Sequence, residues 1–293
     1  MSEAPGHVRF VAPGKLVLVG EYAVLDGAPA IVAAVDRGVQ VRVTPSDRLV
    51  VETPGDDSYA RAALNAVNAP AARYSFSDWN PVGAATKVGF GGSAATCVVA
   101  ALAGGAADVW RAADGVHRAV QGGGSGIDVA ASAHGGVLRF RRDADGAMSV
   151  AAEPVVRPVV VWSGTSAATG PRVQQYLAWR DRAAFVRESA AIVEAYAASP
   201  IATLSVAYAE LRRMSVAAGI DWETPALAEI AAIARDHGGA AKPSGAGGGD
   251  IAVALLPDQA SEDGFRDAVR ARAYRVIDVN VAPGAHRVSE ESP

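Results

Sequence analysis

Lys87-Val88-Gly89-Phe90-Gly91-Gly92-Ser93-Ala94-Ala95 is the stretch whose reading decides the fold. Its three glycines let the backbone approach an anion without Cβ clashes. The following Ala95-Thr-Cys-Val-Val-Ala-Ala-Leu-Ala103 is almost continuously small and apolar, which predicts a buried helix opening directly out of the glycines. The unpaired N–H groups and positive dipole end of such a helix face back onto the loop and make a phosphate cradle. Ser93, at the helix start, can cap the helix or offer its hydroxyl to a Mg²⁺ ion carried by a nucleotide. The Walker pattern G-x-x-x-x-G-K-[ST] occurs nowhere in the chain. The stretch does fit G-x-G-x-x-A, a dinucleotide-binding variant, with Asp108 nineteen residues beyond Gly89. That fingerprint needs a hydrophobic strand before it and an acid at the end of the next strand. Asp78-Trp-Asn-Pro-Val-Gly-Ala-Ala-Thr-Lys87 is poor strand sequence and Asp108 ends a helical run, so the dehydrogenase reading is disfavoured.

Two further glycine loops flank this one in sequence. Gly124-Ser-Gly-Ile-Asp128 sets a carboxylate at the start of the run Val-Ala-Ala-Ser-Ala. There it either complements a helix dipole or points at a reacting group. Lys242-Pro-Ser-Gly-Ala-Gly-Gly-Gly-Asp250 puts four glycines ahead of the strand-like Ile251-Ala-Val-Ala-Leu-Leu256, more than a hairpin requires. Of 27 basic residues only three are lysines, Lys15, Lys87 and Lys242, and each adjoins glycine-rich sequence. Lysine, a compact charge on a flexible stem, suits reaching phosphate oxygens from a tight loop.

Composition bounds the rest. A chain of 293 residues, half of them apolar, is long enough for one large or two medium domains with a cleft between them. A net charge of -4 with scattered arginines argues against a nucleic-acid surface. The single cysteine, Cys97, lies among Ala and Val and is expected to be a structural thiol. Met1 to Phe10 lacks the apolar core of a signal peptide, and no stretch approaches a membrane span, so a cytoplasmic protein without membrane contact is expected.

Strand-like runs at the start, with turn signals at Pro13-Gly14 and Asp26-Gly27, predict an antiparallel meander. Helices are expected at 56–72, from Ser93, around Val116 to Gln121 and just after Gly126. Strands are expected at Val137 to Arg142 and Pro158 to Gly164. Helical periodicity at 171–198, 201–218 and 224–236 precedes strands at 251–256 and 273–279 with a helix between them. Lys242 to Asp250 is expected to be loop and His286 to Pro293 frayed. A boundary near residue 152 divides the chain into 1–152 and 153–293, an α+β arrangement of two two-layer α/β domains.

Ala12-Pro-Gly-Lys-Leu-Val-Leu-Val-Gly-Glu-Tyr-Ala-Val-Leu25, Lys87 to Ala95 and Lys242 to Asp250 together resemble the three motifs of the GHMP kinase family, over residues 10 to 256. Gly20-Glu21-Tyr22, Gln121 ahead of Gly124 to Ser132, and Asp250 are most similar to the family's phosphomevalonate kinase branch. The resemblance implies an N-terminal domain like the second domain of a ribosomal protein, a ferredoxin-like C-terminal domain and an active site between them. It implies ATP and Mg²⁺ as cofactors and 5-phosphomevalonate as the small-molecule partner, with mevalonate the alternative acceptor, on a monomer or homodimer. Residue by residue, Gly89, Gly91, Gly92, Ser93 and Ala94 would bind the ATP phosphates, with Ser93 also on the metal. Gly245 and Gly247 would close over them. Lys15 would stabilise the transferred phosphoryl group, Asp128 would orient or activate the acceptor, and Lys87 would join Lys15 as a catalytic cation. Tyr22, Ser125, Ser163, Ser166 and Arg172 would contact the acceptor.

The chain departs from the family in two places. Gly92 stands where a serine is common. No glutamate lies between Ser93 and Asp128 to hold Mg²⁺, and His117 falls near that place, with a surface helix histidine as its plain reading. The related diphosphomevalonate decarboxylases carry Tyr-Trp-Gly-Lys where this chain has Ala12-Pro-Gly-Lys15. A non-catalytic homologue is expected to have lost Lys15 or Asp128, and both are present.

Overall fold

The structure, a computed structural model, describes residues 7–82 and 88–289. Its elements in chain order are β1 (Val8–Val19), a single 3₁₀ turn (Ala23–Asp26), β2 (Ala30–Pro45), β3 (Val50–Glu52), α1 (Ser58–Ala66), β4 (Ala72–Trp79), α2 (Gly92–Ala103), α3 (Val109–Gln121), α4 (Ile127–His134), β5 (Val137–Arg142) and β6 (Met148–Ala152). There follow β7 (Val159–Trp162), α5 (Thr169–Ala178), α6 (Ala183–Glu194), α7 (Pro200–Ala218), α8 (Pro225–Asp236), β8 (Ala240–Pro243), β9 (Ile251–Leu255), α9 (Gln259–Ala271), β10 (Arg275–Ile277) and β11 (His286–Val288).

The first sheet runs β11-β1-β2-β4-β3, with β5 and β6 extending from β2. The second runs β10-β7-β9-β8 and is antiparallel throughout. The expected turn at Pro13-Gly14 is instead a β-bulge inside one long strand. β1 pairs with β2 along its whole length, and the register shifts between Pro13 and Gly14 opposite Gly38 and Val35. Across this shift β2 carries two extra residues, Asp36 and Arg37, and the ladder is interrupted, so the side chains change faces there. Ala12 and Val41 lie in the core under α2, and past the bulge Val17 and Val32 face the adjoining core under α4. Their neighbours Leu16, Leu18, Ile31 and Ala33 face the other way, into a core shared with the second sheet, α6 and α7. Burial on both faces explains why Ala30 to Val35 reads as an unbroken apolar run rather than an alternation.

Three more expectations change. The single helix expected over 171–198 is two, because the chain breaks after Ala178, where Arg182 and the Tyr176 hydroxyl both reach the Asp26 carboxylate. His286 to Val288 is not frayed but pairs with β1 at Arg9 to Val11. Lys242 and Pro243 are strand, not loop. Cys97 is a free thiol buried in α2, as expected. Among the described residues no helix is long and apolar enough to cross a membrane.

Candidate active site

The register shift between β1 and β2 at Pro13-Gly14 positions the site. Gly14 comes so close to the Phe90 carbonyl that a Cβ there would sit 2.6 Å from it, and the next residue, Lys15, donates its backbone N–H to the same oxygen at 2.8 Å. The Gly89 to Ser93 loop is thereby seated on the strand that carries Lys15. From there the Lys15 side chain runs beneath Gly91, and its ammonium donates to the Gly89 carbonyl at 3.3 Å. Gly91 is the N-cap of α2 with φ 77°, and a Cβ added to it would lie 3.1 Å from Lys15 Cγ. Glycine is needed there for both the backbone angle and the space. Gly92 differs: a Cβ there meets nothing within 4 Å, so the position that lacks the common serine opens onto the cleft.

This cleft, about 900 Å³, is lined by Lys15, Glu21, Tyr22, Gly89 to Ser93, His117, Gln121 to Asp128, Ala167 to Gly170 and Ser244 to Gly247, with Gly249 and Asp250 beside them. The N-terminus of α2 opens into it, as does the first turn of α4 with Asp128. The third glycine loop closes the remaining side. There Asp250 abuts Gly89 and accepts the Ala167 N–H at 3.1 Å, tying the segment after β7 to the site.

Burial pushes the Lys15 ammonium below the usual lysine range, while the Asp128, Glu21 and Asp250 carboxylates push it back up. Lys15 is thus a cation that feels three carboxylates and runs under Gly91, the N-cap of α2. Lys242 has another fate. It is fully buried, forms an ion pair with Glu21, and donates to the Pro243 carbonyl at 2.8 Å and the Val17 carbonyl at 3.4 Å. The expectation that it reaches phosphate is therefore corrected: its donors are committed inside the protein. Glu21 also accepts the Gly245 N–H at 3.3 Å, so the pair anchors the third glycine loop to the end of β1.

His117 is likewise corrected from a surface residue to a buried one, 2 % exposed. Its Nε2 stands 3.1 Å from Ser93 Oγ and 3.9 Å from Asp128 Oδ2, and its ring packs on Tyr59. The signal in the sequence was its place on α3, eleven residues before Asp128. What hid it was α3's contact with Ser93 at the start of α2, which no local pattern shows.

The other expected residues divide. Lys15, Tyr22, Gly89, Gly91, Gly92, Ser93, Ser125, Asp128, Gly245 and Gly247 line the cleft. The Tyr22 hydroxyl is spent on the Ala246 carbonyl at 2.6 Å, and Ser125 Oγ faces the Ile127 N–H at 3.4 Å. Ala94 turns its methyl into the core and does not line the cleft. Nor do Ser163, Ser166 or Arg172. Ser163 is buried and donates to the Thr165 carbonyl, Ser166 is exposed, and Arg172 donates to the Asp221 and Ala168 carbonyls. Lys87 lies outside the described residues.

Comparison with known proteins agrees with this architecture. The family model for the GHMP kinases C terminal matches residues 209–275, from within α7 to the start of β10. The phosphomevalonate kinase of Streptomyces sp. (strain CL190) is 29 % identical, covering 86 % of this chain and 90 % of its own length. The mevalonate kinase of Thermococcus sibiricus is 28 % identical with the same coverage. The structure of Streptococcus pneumoniae phosphomevalonate kinase in complex with phosphomevalonate and AMPPNP superposes with a TM-score of 0.79 at 20 % identity, over 94 % of this chain and all of that one. The chain thus carries a match to the GHMP kinases C-terminal model and has the GHMP kinase fold along almost its whole length.

Proposed function

We propose that this kinase transfers the γ-phosphate of ATP to 5-phosphomevalonate, giving 5-diphosphomevalonate and ADP. The observation that carries the reading is the convergence, in one cleft, of the α2 N-terminus, Lys15, Asp128 and the Gly245 loop. Phosphoryl transfer is mainly positioning and charge neutralisation. An oxygen of the acceptor's phosphate forms the new P–O bond as the bond from the γ-phosphorus to the bridging oxygen of ADP breaks. A phosphate monoester has a second pKa of about 6, so it attacks as the dianion and leaves no proton to be removed. Asp128 then orients the acceptor, while Lys15 neutralises charge building on the transferred group.

Mg²⁺ chemistry fits the donors present. Ser93 Oγ and the Asp128 carboxylate are hard oxygen ligands opening on the same cleft, and Mg²⁺ usually takes one or two protein oxygens with the rest from phosphates and water. Bound there, the ion supplies further neutralisation of the phosphates. Among the described residues no group of three or more His, Cys, Asp and Glu is placed to hold a metal without a nucleotide. Lys87, immediately ahead of the phosphate loop in sequence, is proposed as a second cation for a site that holds two polyanions at once.

Support for the phosphorylated acceptor comes from the curated phosphomevalonate kinase and from the complex just described. A mevalonate acceptor is the second reading, favoured by the mevalonate kinase relative and by an Asp128 carboxylate open enough to take an alcohol proton. Phosphorus NMR of the product separates them. A pair of coupled diphosphate resonances additional to those of ADP is expected from phosphomevalonate, and a lone monoester resonance appearing from mevalonate overturns the assignment.

A further inference from the structure

Ser93, His117 and Asp128 look at first like a relay in which one imidazole nitrogen faces the hydroxyl and the other the acid. The geometry is different, because both oxygens approach the same nitrogen, Nε2, at 3.1 and 3.9 Å. One ring nitrogen cannot accept from the serine and donate towards the carboxylate at once. Asp114, one turn earlier on α3, does not compete for the ring, since its Oδ1 accepts from Arg142 Nη2 at 2.6 Å. The negative charge facing Nε2 is therefore that of Asp128, and it favours the form with the proton on Nε2.

We infer that His117 is a positioning residue that fixes the direction of the Ser93 hydroxyl. With Nε2–H donating to Ser93 Oγ, the serine's own proton turns away from the imidazole and into the cleft, where it meets a phosphate oxygen of the nucleotide. The opposite arrangement, with Ser93 donating to a bare Nε2, leaves no hydroxyl proton for the phosphate. With glycine at position 92, Ser93 is the one hydroxyl on this loop, so its direction matters more than where a neighbouring serine could substitute. His117 also ties α3 to the first turn of α4, and the hydroxyl facing the donor is set by the same ring that faces the acceptor-side acid.

The inference rests on the nucleotide-binding reading of the cleft and not on the identity of the acceptor. It is tested by AMPPNP affinity and by kcat/KM for ATP in a cycle of His117→Phe, Ser93→Ala and the double variant. Phenylalanine keeps the ring against Tyr59 and loses the donor. Hydrogen bonds to charged groups are worth about tenfold to a hundredfold, so each single variant is expected to lose affinity within that range. The double variant is expected to be no worse than Ser93→Ala alone. His117→Gln, whose amide N–H can reach the same place, is expected to recover most of the loss. Additive losses in the double variant, or an unimpaired His117→Phe, overturn the inference. If His117→Phe does not fold, His117→Asn, too short to reach Ser93, takes its place in the cycle with the same expected outcome. A wild-type protein that shows this coupling on AMPPNP yet phosphorylates neither acceptor overturns the proposed reaction and leaves the role of His117 standing.

Discussion

Glu21 and Lys242, 221 residues apart, meet in a buried ion pair that joins the end of β1 to β8 and seats the Gly245 loop. Among the described residues Glu21 Oε2 is itself buried without a hydrogen-bond partner, so the carboxylate's hydrogen bonds come from this lysine and the Gly245 N–H. Removing one member of such a pair leaves a charge uncompensated in the interior. Lys242→Met is expected to lower stability by about 3 kcal/mol or more. Equilibrium urea unfolding checks this, and an unchanged midpoint contradicts it. The double variant Lys242→Met with Glu21→Leu is expected to regain part of the loss, because neither charge is then stranded.

Gly91 and Gly92 are adjacent, and their substitution is expected to have opposite consequences. Gly91→Ala forces a methyl against Lys15 at a positive φ, and strain of this kind costs about 1 to 3 kcal/mol. It displaces the lysine, so a fall in kcat of more than about tenfold is expected, one decade of rate being about 1.4 kcal/mol of barrier. Gly92→Ala places its methyl in open space at an ordinary backbone angle, and a melting temperature at or slightly above that of the parent is expected. Thermal melts and steady-state rates on the two proteins decide the matter, and equal effects contradict it.

Burial of Lys15 has a pH signature. Its ammonium is held below the ordinary 10.5 of a lysine. In the window between the lowered value and 10.5 the unfolded chain binds more protons than the native one, so this residue's contribution to stability improves as pH rises through that window. Activity is expected to move the other way, because the proposed reaction needs the cation. The profile of kcat/KM, which reports the free enzyme, is expected to fall on an alkaline limb below 10.5, and Lys15→Arg is expected to remove that limb along with most of the rate.

Cys97 is expected to be inert. Burial pushes its thiol up to about 12, so little thiolate exists at neutral pH. Ellman's reagent is expected to label it only after unfolding, and rapid labelling of the native protein contradicts its packing in α2.

Much of this site was legible in the sequence because its chemistry is carried by local patterns. Gly89 to Ser93 announces a helix N-terminus, and Asp128 follows two glycines for the same reason. What could not be read depends on distant strands meeting. Pro13-Gly14 has turn composition, and only its pairing with Gly38 makes it a bulge. Lys242 looks like a phosphate ligand until β1 brings Glu21 beside it. Arg172 and Ser163 lie close in sequence to Ala167 to Gly170, which do line the cleft, yet their own polar groups are engaged with backbone carbonyls. His286 to Val288 reads as a tail because its partner strand lies at the other end of the chain.

The central claim is a kinase whose acceptor already carries a phosphate. Coupled measurement of ADP release, with phosphomevalonate and mevalonate offered separately at matched concentrations with ATP and Mg²⁺, tests it most directly. A kcat/KM for phosphomevalonate at least about a hundredfold above that for mevalonate is expected, a gap of nearly 3 kcal/mol in transition-state binding. Equal rates on the two acceptors, or a preference for mevalonate, contradict the account.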